Sequence, residues 1–499
     1  MGSIRSRKPG CRMSLNVESQ HKEEEAGRAG FGARYALMLI VLLWASQLTS
    51  LAGLISGNAQ SAIAIHFHTA KIAWFNQIGL LVGVFATPFV VKAAAMYGKK
   101  RVMVLITALA LVGDLVAALA TNYGTLLVGR GVAGVFSASI PLTYALTRDA
   151  FPRHLVGPAS GFLGGGVGLV ALGGPFLSGW LLDDHGFRAA LWFLVAGTAL
   201  ALVLLLAFVP ESPVREERTR MDWAGGLLLG GGLTAVVYGI GEGAGWGWTS
   251  GRTLLCIGGG IVAVIAFLGV ERKVAHPMFP ISLLGRRRVW TTFLATGLVA
   301  GSIYAGGILT NLLILMPRIP GISDGLGWTA TKAALVAAPG SILIIGAAVV
   351  SGMLARRVDS RLLLGTGGGL VAIGIGLSSQ FHYHVSQFIA IGVFSAVGMG
   401  MVVSMIPVMV IESVEPEEQA LANGAQGMTQ GVVQGLLTQV AFVVLAKDGT
   451  VVKGTEFYGD RGFTNGFLMF AGAVAVAALL VLTIPRGKRL DEAEAGQAA

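Results

Sequence analysis

Residues 102–147 read VMVLITALALVGDLVAALATNYGTLLVGRGVAGVFSASIPLTYALT. Two apolar runs meet at the short turn Thr121–Gly124, with Asp114 in the first run and Arg130 in the second. Folding the hairpin about its turn sets the charges opposite each other, Asp114 seven residues before Thr121 and Arg130 six after Gly124. At about 1.5 Å of rise per residue, each lies roughly 10 Å inside a membrane. An ionisable group at that depth costs at least ~2.5 kcal/mol and marks a functional position. The runs themselves decide the fold. About 20 apolar residues suffice for a helix to cross a membrane, and these runs lack the alternation of barrel strands.

Working outward, the pattern recurs. Of 499 residues, 54% are hydrophobic and 12% charged, against about 25% charged in soluble domains. Spanning segments fall near 35–57, 72–91, 102–120, 125–147, 157–181, 189–209, 223–241, 253–270, 290–316, 330–354, 362–380, 385–411, 420–446 and 464–484, fourteen in all. The expected architecture is an all-α polytopic membrane protein. A tail (1–34) precedes a six-helix bundle (35–209). A linker (210–289) carries two extra helices (223–241 and 253–270), and a second six-helix bundle (290–484) leads to a tail (485–499).

Charge placement fixes the orientation. Of the 36 Lys and Arg, 27 fall on the side that holds both tails, 8 on the other side, and Arg130 within the membrane. Basic residues concentrate in cytoplasmic loops, so both termini are expected in the cytoplasm. The net charge of +10 is scattered over short loops rather than gathered on one face, which argues against nucleic acid. Cys11 and Cys256 stand in a tail and an apolar helix, so no disulfide is expected. The first ~30 residues lack the apolar core of a cleavable signal peptide. Short tails, the absence of glycosylation sequons and Gly/Ala-rich spans suit a bacterial cytoplasmic membrane. The expected partners are the lipid bilayer, a small amphipathic molecule and protons, with the protein a monomer.

A weak repeat supports two halves. The turn after the second helix, Val91–Arg101, and the turn after the tenth, Gly352–Arg361, are both tight and basic. Such halves with a binding site between them are a recurrent transporter plan. The first turn resembles the second-to-third-helix motif of the major facilitator superfamily, through Gly98, Lys99 and Lys100. Val91 stands at that motif's first Gly and Ala95 at its Asp, so the cytoplasmic latch tied to that Asp in the superfamily is missing its usual residue. The second turn keeps Gly352, Leu354 and Ala355. Plain positive-inside topology would also produce basic turns.

The fifth helix, Gly164–Gly179, places glycines four apart on one face, which permits close helix contact, and Pro175 favours a kink. Gly174, Pro175 and Gly179 resemble the superfamily's fifth-helix antiporter motif, with Ser178 where Gly is usual. Leu127–Gly134, centred on Arg130, resembles its fourth-helix Arg motif, tied in the family to proton transfer. Asp222–Leu229, ending in Gly245–Trp248, and Glu271–Pro280 resemble the extra seventh helix and following loop of the fourteen-helix drug–proton antiporters. That resemblance implies two bundles plus two inserted helices, and export of drugs, antibiotics or biocides against protons. Many members carry an Asp in the first helix. Here Trp44–Ile65 has none.

No Walker A sequence occurs, so transport requires a gradient; no cofactor is expected and no enzymatic chemistry. Asp114 is the one acid well inside a span. Glu242, Glu412 and Asp183/Asp184 lie at span ends or in loops. Two readings of Asp114 and Arg130 stand: a pair that opens when Asp114 binds a proton, or a static salt bridge pinning the third helix to the fourth.

Polar residues on spans are candidates for the substrate cavity, since lipid-facing positions carry them only at a cost. The thirteenth helix has a stripe of Asn423, Gln426, Gln430 and Gln434. Gln47 and Ser50 in the first helix, Asn76 and Gln77 in the second, Tyr144 in the fourth, and Tyr304 and Asn311 in the ninth complete the set. Any one of them could instead hydrogen-bond between helices. His66 and His68, and His382 and His384, read as surface histidines rather than metal ligands. Trp246 and Trp248 read as interfacial anchors, and Glu415–Glu418 as a solvated turn. An exporter of amphipathic organics is expected. A dedicated metabolite exporter or an uptake symporter of the same fold is the alternative, and a non-transporting scaffold the alternative of another class.

Overall fold

The computed structural model describes residues 32–212, 221–274, 285–355, 357–414 and 418–485. Cys11, the tail residues 1–31 and 486–499, the stretch Ala275–Pro280 and Glu415–Glu417 therefore lie outside the described residues.

Lipid offers the backbone no hydrogen-bond partners, so apolar spans close their own bonds as helices. The N-terminal half is α1 (Ala33–Phe67), α2 (Ala73–Tyr97), α3 (Lys99–Ala118) and α4 (Tyr123–Ala150), followed by the long helical run Arg153–Phe208. That run is broken at Gly186, whose φ of 77° leaves the helical region, so it supplies α5 (153–185) and α6 (187–208). The inserted pair is α7 (Trp223–Trp246) and α8 (Gly251–Glu271). The C-terminal half is α9 (Arg287–Leu315), α10 (Ala330–Leu354), α11 (Ser360–Ser378), α12 (Val385–Ser413), α13 (Gln419–Ala446) and α14 (Asp460–Val481). Among the described residues thirteen continuous helical runs are long and apolar enough to cross a membrane. Divided at Gly186, these runs make fourteen helical segments.

Three details differ from the sequence reading. The first helix continues ten residues past its expected end to Phe67, because its polar residues are buried in the bundle rather than marking a loop. Asp183 and Asp184, expected in an outer loop, are helical, and the connection between α5 and α6 narrows to Gly186. Two outer loops hold short antiparallel hairpins, β1 (Arg318–Ile319) with β2 (Ser323–Asp324) and β3 (Gly449–Val452) with β4 (Thr455–Tyr458). Apolar periodicity has no signal for strands this short.

Each half has its own core. Leu42, Met103, Leu142 and Leu205 pack in the first, and Val299, Leu364, Met405 and Val474 in the second. The halves meet where α2 packs on α13 and α5 on α10. The inserted pair docks beside them: Lys71 Nζ and Trp74 Nε1, flanking the start of α2, both bond Glu242 at the end of α7, at 2.9 and 3.1 Å.

Candidate functional site: a buried charge pair and an uncharged pocket

Asp114 and Arg130 are brought together. Arg130 Nη1 lies 3.6 Å from Asp114 Oδ1, and Asp114 is only 6% exposed. Backbone packing causes this. A Cβ on Gly113 would sit 2.4 Å from the amide nitrogen of Ala133, and one on Gly129 would sit 2.5 Å from that of Ala117. The residue preceding each charge must therefore be glycine for α3 and α4 to cross so closely. The crossing fixes both side chains at one depth.

Two further groups hold the pair. Thr198 of α6 donates its hydroxyl to Asp114 Oδ2 at 2.8 Å. The guanidinium of Arg130 lies over the Phe75 ring, 5.5 Å from its centroid, a favourable cation–π arrangement. Arg130 Nε has no protein partner. Beginning four residues beyond Arg130, residues Gly134–Ala138 tighten into a 3-10 turn, a departure from α-geometry common at hinges. Thr198 was missed in the sequence, although it is the one hydroxyl in the otherwise apolar run 189–209.

The cavity residues divide. Tyr304 and Gln430 line one partly open pocket of about 100 Å³ with Ile303, Met399, Ile406 and Pro407. Gln426 is buried beside it, its Nε2 3.5 Å from Gln430 Oε1. Gln77 takes a different place. At 1% exposure it lines no opening, and its amide donates instead to the Gly435 carbonyl of α13 at 2.6 Å. Gln47 is likewise turned to a neighbouring helix, bonding the Leu163 carbonyl at 3.0 Å. Asn311 packs against Gly57 of α1. Ser50, Asn76, Tyr144, Asn423 and Gln434 are half-buried and lie outside the pocket.

The glycine motif of α5 serves contact on two sides. A Cβ on Gly174 would press on Leu54 of α1 at 3.2 Å, and one on Gly179 would strike the Thr331 backbone of α10 at 2.8 Å. Ser178, the departure from the motif, accepts a hydrogen bond from Asn58 of α1 at 3.0 Å. Among the described residues three hydrogen-bonded contacts join the halves, each toward the outer face. They are Gln77 with Gly435, Asp183 with the Ala330 and Thr331 amides at 2.9 and 2.7 Å, and Thr455 with the Ala64 carbonyl at 3.2 Å.

At the inner face, Gly98 has φ 110°, a conformation that favours glycine. It lets the Lys100 and Arg101 amides reach Glu211, at 3.0 and 3.3 Å. Lys99 pairs with Asp149, which also accepts from Ser212 at 2.6 Å. Two carboxylates of the same half thus hold the basic turn that lacks an acid at Ala95. Neither was singled out in the sequence, where helix-end acids look like ordinary solvated charge. In the C-terminal half, Gly352 is exposed with nothing near it. There Glu412 accepts from Ser360 at 3.0 Å and lies 3.6 Å from Arg288.

This arrangement is that of a multi-pass membrane transporter. The Major Facilitator Superfamily profile matches residues 37–438 and, in a second match, 315–498, and the chain belongs to that superfamily. It is 30% identical over 370 residues to the uridine/deoxyuridine transporter of Lactococcus lactis subsp. cremoris MG1363, covering 70% of this chain and 73% of that one. It is 26% identical over 353 residues to the multidrug resistance protein Stp of Mycobacterium tuberculosis CDC 1551, covering 69% of this chain and 64% of that one. Among solved structures, a POT family transporter in complex with a thioalcohol-conjugated peptide superposes with a TM-score of 0.65 at 15% identity, covering 90% of this chain and 95% of that one. At that identity the likeness concerns the fold.

Proposed function

We propose that the chain is a fourteen-helix drug–proton antiporter, exporting uncharged amphipathic organic compounds (drugs, antibiotics or biocides) from the cytoplasm by alternating access. The observation that carries this reading is Asp114, held between Arg130 and Thr198 on three different helices. Ionised, it attracts Arg130 in a medium where charge is poorly screened. A proton cancels that attraction and frees Arg130, changing how α3, α4 and α6 are tied. A proton moving inward releases ~2.3 kcal/mol per 100 mV of membrane potential, enough over one cycle to bias such a change.

The pocket suggests the cargo. Its lining is apolar apart from the Tyr304 phenol and the Gln430 carboxamide. A cation there would lose water without gaining a carboxylate, whereas an uncharged amphipath gains apolar contact and two hydrogen-bonding groups. The multidrug resistance protein Stp supports the export reading. The uridine/deoxyuridine transporter supports a second one, a carrier dedicated to a neutral metabolite such as a nucleoside.

Proton release from inverted vesicles, followed with a pH-sensitive dye, separates these readings. Uncharged amphipathic drugs should evoke release that an uncoupler abolishes. A response to uridine alone would favour the dedicated carrier. Release evoked mainly by quaternary ammonium compounds would overturn the assignment of cargo. Vesicles silent to every compound, with the protein folded, would favour the scaffold.

A further inference from the structure

His382 is not the surface histidine its sequence suggests. It is 2% exposed, because the connection between α11 and α12 folds it in against the start of α14. Its Nδ1 lies 2.7 Å from the Ser378 carbonyl oxygen, and its Nε2 lies 3.0 Å from Asp460 Oδ1. The Tyr383 hydroxyl donates to that same carboxylate oxygen. The Tyr383 and Phe467 rings pack on the imidazole, with centroids at 4.4 and 6.1 Å.

A neutral imidazole has one N–H and one lone pair. Here both ring nitrogens face acceptors. Without an added proton, one nitrogen must set its lone pair against an oxygen. One proton beyond the neutral ring and ionised carboxylate satisfies every contact.

Asp460 is also a structural node. Its amide donates to Asp324 Oδ2 on β2 at 3.0 Å. One residue earlier, the Gly459 amide bonds the Asp448 carbonyl at 3.0 Å, closing the base of the β3–β4 hairpin. That hairpin reaches the other half, where the Thr455 hydroxyl bonds the Ala64 carbonyl of α1. We propose that His382 and Asp460 share one titratable proton, taken from the outer face, and that this proton fastens the root of the hairpin joining the two halves.

Arg318 and Asp324 stand on the first hairpin, Asp448 and Glu456 on or beside the second, and Asp460 and Arg461 at the start of α14, with Tyr383 and His384 alongside His382. Lys447 and Lys453 flank and cap the second hairpin, so four carboxylates face four basic side chains in this region, and the carboxylate in direct contact with the ring is Asp460. Burial, and then the hydrogen bond to Asp460, pushes the Tyr383 phenol up, so it remains a donor. Burial likewise raises Glu456. The sign follows from the contacts: the added proton satisfies both ring nitrogens, so the fastened state belongs to acidic outer pH and is lost as pH rises. This inference depends on neither the cargo nor the role of Asp114.

Hydrogen exchange on the full-length protein in lipid nanodiscs tests it. The readout is protection of peptides covering 449–463 at about pH 5.5 and about pH 8, corrected for the intrinsic pH dependence of exchange. Wild type should be protected roughly fivefold more at the lower pH, and His382→Gln should abolish the difference. Asp460→Asn, whose amide can donate to a neutral ring, should be equally protected at both pH values. Wild-type protection that ignores pH would overturn the proposal, as would a full pH response in His382→Gln. Should His382→Gln fail to fold, an unchanged pH response in Asp460→Asn would overturn it alone.

Discussion

Fifteen residues on from Lys99, at the start of α3, stands Asp114; the same step from Ser360, at the start of α11, reaches Ile375. Nineteen residues back from Asp149, near the end of α4, is Arg130; the same step back from Glu412, near the end of α12, reaches Val393. At their inner ends both halves tie these helices through an acid, Asp149 to Lys99 and Glu412 to Ser360. Inside the membrane they part company. The second half makes its helix crossing without charge: a Cβ on Gly374 would meet Ser395, and one on Gly398 would lie 2.4 Å from the Gly367 carbonyl. The fold therefore does not require a buried ion pair at this crossing. That weakens the static reading of Asp114 and Arg130 and favours a working one. The pocket, meanwhile, is lined entirely from α9, α12 and α13 of the uncharged half.

The largest effect is expected from removing one charge. Asp114→Asn should abolish proton-driven export in inverted vesicles. It should also destabilise the protein, since an unpaired buried charge costs ~3–5 kcal/mol. The exchange Asp114→Arg with Arg130→Asp separates the two consequences. A merely structural pair tolerates the swap, so thermal unfolding in detergent should recover while coupled export stays dead. Recovered export in the swapped protein would return the pair to a structural role.

A smaller effect comes from putting charge where the second half has none. Ile375 is packed within the C-terminal core. Ile375→Asp should cost on the order of 2.5 kcal/mol, the lower figure for a charge at such depth, and reduce the yield of folded protein. Transport by the surviving protein should remain coupled. Lost coupling at full stability would mean that proton handling is not confined to the first half.

How much of this was legible in the sequence follows from what each feature depends on. Crossings show because twenty apolar residues leave a composition trace wherever they occur; even the break at Gly186, the one non-helical residue between α5 and α6, was bracketed by the reading. The pairing of Asp114 with Arg130 followed from their equal depth, although contact also needed the correct rotation of α3. Gly113 and Gly129 supply that rotation, each immediately before its charge. Partners distant in sequence left no such trace. Thr198 is 84 residues from Asp114, and Asp460 is 78 from His382. The bond from Gln77 to Gly435 was not legible because a glutamine amide serves a helix carbonyl as readily as a ligand, and spacing along one helix does not show which helix faces it.

The smallest effect concerns how the two equivalent helices begin. Asp359, immediately before α11, caps it locally, accepting from the Arg361 amide at 3.0 Å. The start of α3 has Gly98 in that place and borrows its cap from Glu211, 111 residues away from Lys100. A carboxylate at a helix N-terminus satisfies free amides and opposes the helix dipole. Glu211→Gln keeps an acceptor and loses the charge, so it should cost about 0.5–1 kcal/mol and loosen the first turn of α3. Asp359→Asn keeps an equally good cap and should cost less, chiefly through its bond to Arg361. Hydrogen exchange at the starts of α3 and α11 reads both. Glu211→Gln should speed exchange at Lys100 and Arg101, and salt should narrow its difference from wild type. Equal exchange at both helix starts in the two variants would mean that the borrowed cap is redundant and that the Lys99–Asp149 pair alone sets the turn.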